Sequence, residues 1–151
     1  MAFSGACVAK TPPDDAQACT NIGCINGFHV ALQSDAWPAG AYRVRVTADD
    51  KTVTCEGNLP LKACDQGNSL KCDGAGVLIG ESGCALPAEQ HSLSDLHLEG
   101  TPKQVRVSVE YNGIAIAQAD FTPDYQVTRP NGPNCEPECT QASATLRVGL
   151  K

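Results

Sequence analysis

Between residues 105 and 121 apolar and polar side chains alternate on either side of Asn112-Gly113, a pattern that leaves room for little except a β-hairpin. Val105, Val107, Val109 and Tyr111 fall on one face and Arg106, Ser108 and Glu110 on the other. Asn112-Gly113 then supplies the two positive-φ residues of a type I′ turn, and residues 114–121 run back. The same period of two recurs at Phe28, Val30 and Leu32, at Tyr42, Val44 and Val46, at Val53 and Cys55, at Leu96 and Leu98, and at Leu146, Val148 and Leu150. No ten-residue window carries a helical stripe, and the 14 glycines and 10 prolines are spread between the alternating runs. The expectation is an all-β fold, a single disulfide-stapled two-sheet β-sandwich of seven to eight strands.

A chain of 151 residues fits one domain, which buries roughly 70% of the surface its unfolded form exposes and so needs no cross-link to hold a core. Residues 1–18 read as an N-terminal leader or tether and 19–151 as the sandwich. Residues 57–76, poor in apolar side chains, read as a Cys-rich insertion between strands at 52–56 and 77–81.

Nine cysteines fix the compartment more firmly than the activity. Such density is rare where thiols stay reduced and common in exported proteins, so the location expected is extracytoplasmic: secreted, periplasmic or anchored at the cell surface. Most fall in close couples, Cys19 with Cys24, Cys64 with Cys72 and Cys135 with Cys139, while Cys55 and Cys84 flank the middle couple. These eight are the disulfide candidates. Spacing favours bridges within each couple, with Cys55–Cys84 enclosing Cys64–Cys72 as nested rungs of an antiparallel excursion. On chain entropy the enclosing bridge would contribute about 3.5 kcal/mol and the short ones about 2 to 2.5 kcal/mol. Cys7 stands apart, a candidate for lipidation or a free thiol.

Net charge is −6, from 11 basic and 17 acidic side chains, and no basic run occurs, which argues against a nucleic-acid partner. No stretch approaches the ~20 apolar residues of a membrane-spanning helix, leaving a lipid anchor as the route to a membrane. No cofactor is expected.

Ser4-Gly5-Ala6-Cys7 resembles the box that precedes the acylated cysteine of bacterial lipoproteins, which would make Cys7 the lipid-bearing residue and the polar segment after it a tether. Gly40-Ala41-Tyr42-Arg43-Val44-Arg45-Val46 resembles the Gly-x-Tyr-x-Val-x-Val strand of transthyretin-like and carboxypeptidase-regulatory-like sandwiches. An immunoglobulin-like sandwich is the other architecture in view, although Trp37 precedes a proline and no Tyr-x-Cys occurs. The whole is similar to small Cys-rich bacterial surface lipoproteins, and that resemblance implies a location without a chemistry.

Gly80-Glu81-Ser82-Gly83-Cys84 resembles the nucleophile segment of chymotrypsin-like proteases, which implies Ser82 as nucleophile. None of His29, His91 and His97 is followed by the cysteine of that family's histidine box, so a turn closing a strand beside a disulfide is expected and no catalytic residue is assigned. Cys19, Cys24, Cys135 and Cys139 have spacings that a four-thiolate zinc site would use in a reducing compartment. Glu89, His91, Asp95, His97 and Glu99 offer nitrogen and oxygen ligands, with Asp95, His97 and Glu99 on one strand face, but a solvated face is the expected reading and no metal ligand is assigned. The loop from Cys64 to Cys72 would be a rigid ring presenting Asn68, Leu70 and Lys71, and the stretch from Arg129 to Cys139 a second one presenting Asn131, Asn134 and Glu136. These six are the binding-loop candidates. The function expected is a non-enzymatic binding or structural module, recognising a surface protein or glycan and open to self-association. The rival readings are a protease inhibitor, a zinc or other metal protein, or a small secreted hydrolase.

Overall fold

The computed structural model describes residues 18–149, which form ten strands and two single-turn 3-10 segments. The strands are β1 (Gly27–Gln33), β2 (Gly40–Ala48), β3 (Lys51–Leu59), β4 (Lys71–Cys72), β5 (Val77–Ser82), β6 (Ser92–Leu98), β7 (Val105–Tyr111), β8 (Ile114–Phe121), β9 (Gln126–Thr128) and β10 (Cys139–Arg147). They make two five-stranded sheets, a first of order β5-β6-β1-β10-β9 and a second of order β4-β3-β2-β7-β8. All-β architecture and two sheets are as expected. The strand count exceeds seven to eight because β4 and β9, of two and three residues, are too short for alternation to announce them.

The period-two residues lie inside. Phe28, Val30 and Leu32 of β1, with Leu96 and Leu98 of β6, belong to the same buried cluster as Tyr42, Val44 and Val46 of β2 and Val105, Val107 and Val109 of β7. Each such side chain is worth roughly 2 kcal/mol against leaving it in water. Phe28 meets Phe121 edge-on across the sheets, with ring centroids 5.6 Å apart. The β7–β8 hairpin turns at Asn112 and Gly113 with φ of 49° and 81°, as the type I′ reading requires. A bulge puts Leu93 rather than Ser94 opposite Glu81, so Leu93 and Leu96 are both buried at a spacing of three. That broken period hides the first half of β6 from a sequence reading.

β1 pairs antiparallel with β6 on one side and parallel with β10 on the other, from Gly27↔Gln141 to Gln33↔Arg147. The parallel pair decides the cross-links. Cys19 bonds Cys135 and Cys24 bonds Cys139, at sequence separations of 116 and 115, continuing the β1–β10 register outward from the sheet. Residues 18–26 are thereby strapped alongside the end of the 129–139 loop. Cys55 bonds Cys72, its directly opposed partner on β4, and Cys64 bonds Cys84 just beyond β5. All eight expected cysteines are bridged, but every partner differs from the nested, within-couple scheme. Sheet pairing, not sequence proximity, sets which sulfurs meet, and the middle bridges interlock. Four bridges mark a chain that matures in an oxidising environment. Cys7 and the leader reading of 1–18 lie outside the described residues, save for residue 18.

Candidate functional site

The outward side chains of the first sheet and the strap beside it enclose an open groove of about 820 Å³. Register brings Leu78 of β5, His97 of β6, His29 of β1 and Ser143 of β10 into one cross-strand row. Gly23, Cys24 and Ile25 of the strap wall one part of the groove, and Thr128, Pro130, Cys139 and Gln141 another. Ile25 is 71% exposed and Leu78 58% exposed, two of the largest uncovered aliphatic side chains among the described residues.

Around that apolar floor the polar groups are held. His29 Nε2 donates to Asp95 Oδ2 at 2.7 Å, and Ser94 Oγ donates to the other carboxylate oxygen at 2.6 Å. Residue 80 is glycine for this reason: a Cβ there would run into the Asp95 carboxylate. His97 Nε2 donates to the Asn26 carbonyl at 2.9 Å and Gln141 Nε2 to that of Ile25 at 2.7 Å, while Asn26 Oδ1 accepts from Thr140 N at 2.9 Å. The strap thus lies on the sheet through side-chain bonds as well as two disulfides. Its anchor at the other end is Asn131. That side chain's Oδ1 accepts from Thr20 Oγ1 at 2.6 Å and Ile22 N at 2.7 Å, and its Nδ2 donates to the carbonyls of Ile22 and Glu136, both at 2.8 Å.

The loop candidates divide. Asn131 is buried with its amide fully satisfied, so it builds the strap and has no bond left for a partner. Leu70 is buried in the core: the Glu81 carboxylate accepts from the backbone N–H groups of Ser69 and Leu70 and turns the segment inward. With Cys64 and Cys72 bonded elsewhere, the closed ring that motivated the inhibitor reading does not form. Asn68, Lys71, Asn134 and Glu136 are exposed and lie apart in two loops, Glu136 standing 3.8 Å from Arg129.

Ser82 ends β5, followed by Gly83 at φ of 97° and the Cys64–Cys84 bridge, as the turn reading expected. The nearest histidine in sequence, His91, is buried and held at both nitrogens, accepting from Leu61 N at Nδ1 and donating from Nε2 to the Leu86 carbonyl, each at 2.8 Å. In Ser94–Asp95–His29 the acid stands between hydroxyl and imidazole, whereas nucleophile activation needs the imidazole between. The metal array is divided: His91 is interior, Asp95 and His97 are engaged on the outer face, and no group of three ligating side chains gathers among the described residues. The sulfurs of the four-thiolate reading are spent in Cys19–Cys135 and Cys24–Cys139.

A second hollow, of about 470 Å³, lies on the opposite sheet at Thr47, Asp49, Gln104, Arg106, Asp120 and Phe121. Its charges are satisfied internally: Arg106 grips Asp120 at 2.6 and 3.2 Å and holds that carboxyl below its usual range, and Asp49 accepts from Lys103 N and Gln104 N.

Compared with protein families, curated proteins and solved structures, the chain matches none.

Proposed function

We propose that this protein is a non-enzymatic recognition module, exported from a bacterial cytoplasm, that binds a segment of another protein in the groove of the first sheet. The observation that carries the reading is the pair of exposed aliphatic residues, Ile25 and Leu78, in a concave surface whose wall is fixed by two disulfides. A fixed wall spares a partner the entropy of ordering it. A protein is favoured over a glycan because no phenyl, phenol or indole ring lines the groove to stack against a sugar. The His29–Asp95 pair and Gln141 on its border would orient a bound backbone.

The sandwich is proposed to be of the transthyretin-like type. Gly40–Ala48, which carries the resembling motif, is the central strand of its sheet, and no bridge among the described residues joins the centres of the two sheets as the immunoglobulin disulfide does. Lipid anchoring through Cys7 belongs to the same proposal.

The test is to pan a random peptide library over the purified, fully oxidised protein and to probe a glycan array in parallel. Peptides carrying an apolar anchor, whose binding is lost in Leu78→Glu, are expected. Glycan binding that Leu78→Glu leaves intact, or peptides that bind that variant equally, would contradict the reading.

A further inference from the structure

Four strands end the two sheets, and three of those edges are blunted. β4 is two residues long and its Cys72 is bridged to the neighbouring strand. β9 is three residues long and pairs only with residues 139–141 of β10; the rest of that edge, residues 142–147 of β10, ends in the charged Arg147, which reaches Asp35. β5 meets a bulge of its neighbour β6 at Ser94, between Gly80 and Glu81, and the segment between β3 and β5 lies against it, tied by the Glu81 carboxylate and the Cys64–Cys84 bridge. Short strands, bulges and covering loops are the usual means of keeping edges from pairing with other chains. β8 is the exception. It is eight residues long, Ile114-Ala115-Ile116-Ala117-Gln118-Ala119-Asp120-Phe121, with no Pro, Gly, Lys or Arg and one charge, which Arg106 already neutralises. Its single irregularity, at Ile116, leaves 117–121 in regular register with β7.

We infer that β8 pairs antiparallel with β8 of a second copy of this chain, about a two-fold axis at Ala119. The sequence of the edge is self-complementary at that centre and at no expense in charge. Ala119 faces its own small mate on the axis, where strands approach closely. Gln118 and Asp120 project from the solvent face of β8, opposite Ser108 and Arg106. A two-fold at residue 119 sets each Gln118 directly opposite the other copy's Asp120, an amide donor against a carboxylate, twice. On the inner face it sets Ala117 opposite Phe121. An isologous contact of this kind closes on itself and leaves no second edge to propagate from. The inference is independent of the groove, which lies on the other sheet.

Sedimentation of the oxidised full chain over a range of concentrations reads the pairing, and two variants at one exposed position give it a sign. Gln118→Glu places like charges across both symmetric contacts and is expected to weaken the dimer about tenfold, whereas Gln118→Lys places a cation opposite Asp120 and is expected to tighten it. Amide exchange should slow with concentration in β8 and not in β4, β5 or β9. A monomer at every concentration overturns the inference, as does a dimer that responds equally to both variants or one lost on Leu78→Lys in the groove instead. Protection of β8 only on adding an unrelated extended peptide also overturns it, assigning the edge to a foreign strand.

Discussion

The outer faces of the two sheets are built from the same kind of backbone and treat water in opposite ways. On the second sheet most projecting charges are paired with a counter-charge on the next strand, Arg45 and Lys71 being exceptions. Arg43 reaches Glu56 at 2.7 Å and Glu110 at 3.1 Å, both directly opposed in register, Arg106 grips Asp120, and Thr47 meets Thr52 at 3.0 Å. Most of the charge on that face is spent within it. On the first sheet the same register lines up Leu78, His97, His29 and Ser143, and the polar groups there bond mainly to a covalently strapped segment, leaving Ile25 and Leu78 uncovered. A face whose charges pair internally offers a partner little that water does not, because exposed pairs are screened and close to neutral in free energy. A face with apolar area in a concave frame gains from being covered. The difference teaches that the strap, rather than the sheet, makes the site.

Removing the strap's covalent hold is the severest way to break that contrast. Replacing Cys19, Cys24, Cys135 and Cys139 by serine opens a loop of 116 residues and removes the second bridge beside it, expected to cost about 8 kcal/mol of stability on chain entropy, about 5 kcal/mol of it from the long loop. Taking away only Cys24 and Cys139 should cost less, about 3 kcal/mol, since the remaining bridge already brings the segments together. Denaturant melts of the two variants check both figures, and the second should retain the fold while losing groove binding.

Asn131→Ala comes next. It strands Thr20 Oγ1, Ile22 N and the Ile22 and Glu136 carbonyls in a part-buried site, for an expected loss of about 1–3 kcal/mol. Exchange of the Ile22 amide should rise more than that of any amide in β2 or β7.

An alkaline titration separates the sheets in another way. Tyr42 of the second sheet is buried, donates to the Pro38 carbonyl at 2.7 Å, and is pushed up to about 12, chiefly by burial and secondarily by Tyr111. Its phenol is therefore easier to ionise in the unfolded chain, near 10. The stabilisation is whole below pH 10 and is lost as pH rises from 10 through 12. Stability measured across that window should fall in the native protein and fall less in Tyr42→Phe.

The smallest effects distinguish the faces most cleanly. Arg43→Ala on the second sheet should barely move the melting temperature, and what it moves should vanish with added salt. Leu78→Ser on the first should change stability by no more than about 0.5 kcal/mol while removing groove binding.

Much of this fold was legible because β-alternation is a local signal. β1, β2, β7 and β8 announce themselves over six or more residues, and Asn112-Gly113 names its turn outright. What was not legible is non-local. The nested bridges assumed an antiparallel excursion, for which the numbers of paired residues have a constant sum. The chain instead runs β1 parallel to β10, for which paired residues have a constant difference. That signal was present, since Cys19 and Cys24 are spaced almost as Cys135 and Cys139 are, but it means nothing until the two end strands are known to be neighbours. The groove was hidden for the same reason: His29 and His97 read as outward, yet nothing local places Ile25 beside Leu78. In the sequence Leu70 and Asn131 read as contact residues because they sit in cysteine-rich loops. Glu81 folds the first inward, and the strap buries the second.

The strap's covalent register is the point on which the groove, and with it the proposed recognition, depends, and disulfide mapping of the unreduced protein tests it most directly. Cleavage after Glu138 separates Cys135 from Cys139. The expected result is that both resulting peptides are linked to the one holding Cys19 and Cys24, with Cys19 joined to Cys135 and Cys24 to Cys139. A Cys19–Cys24 bridge closed on itself, with Cys135 joined to Cys139, would leave residues 18–26 unstrapped and contradict the site.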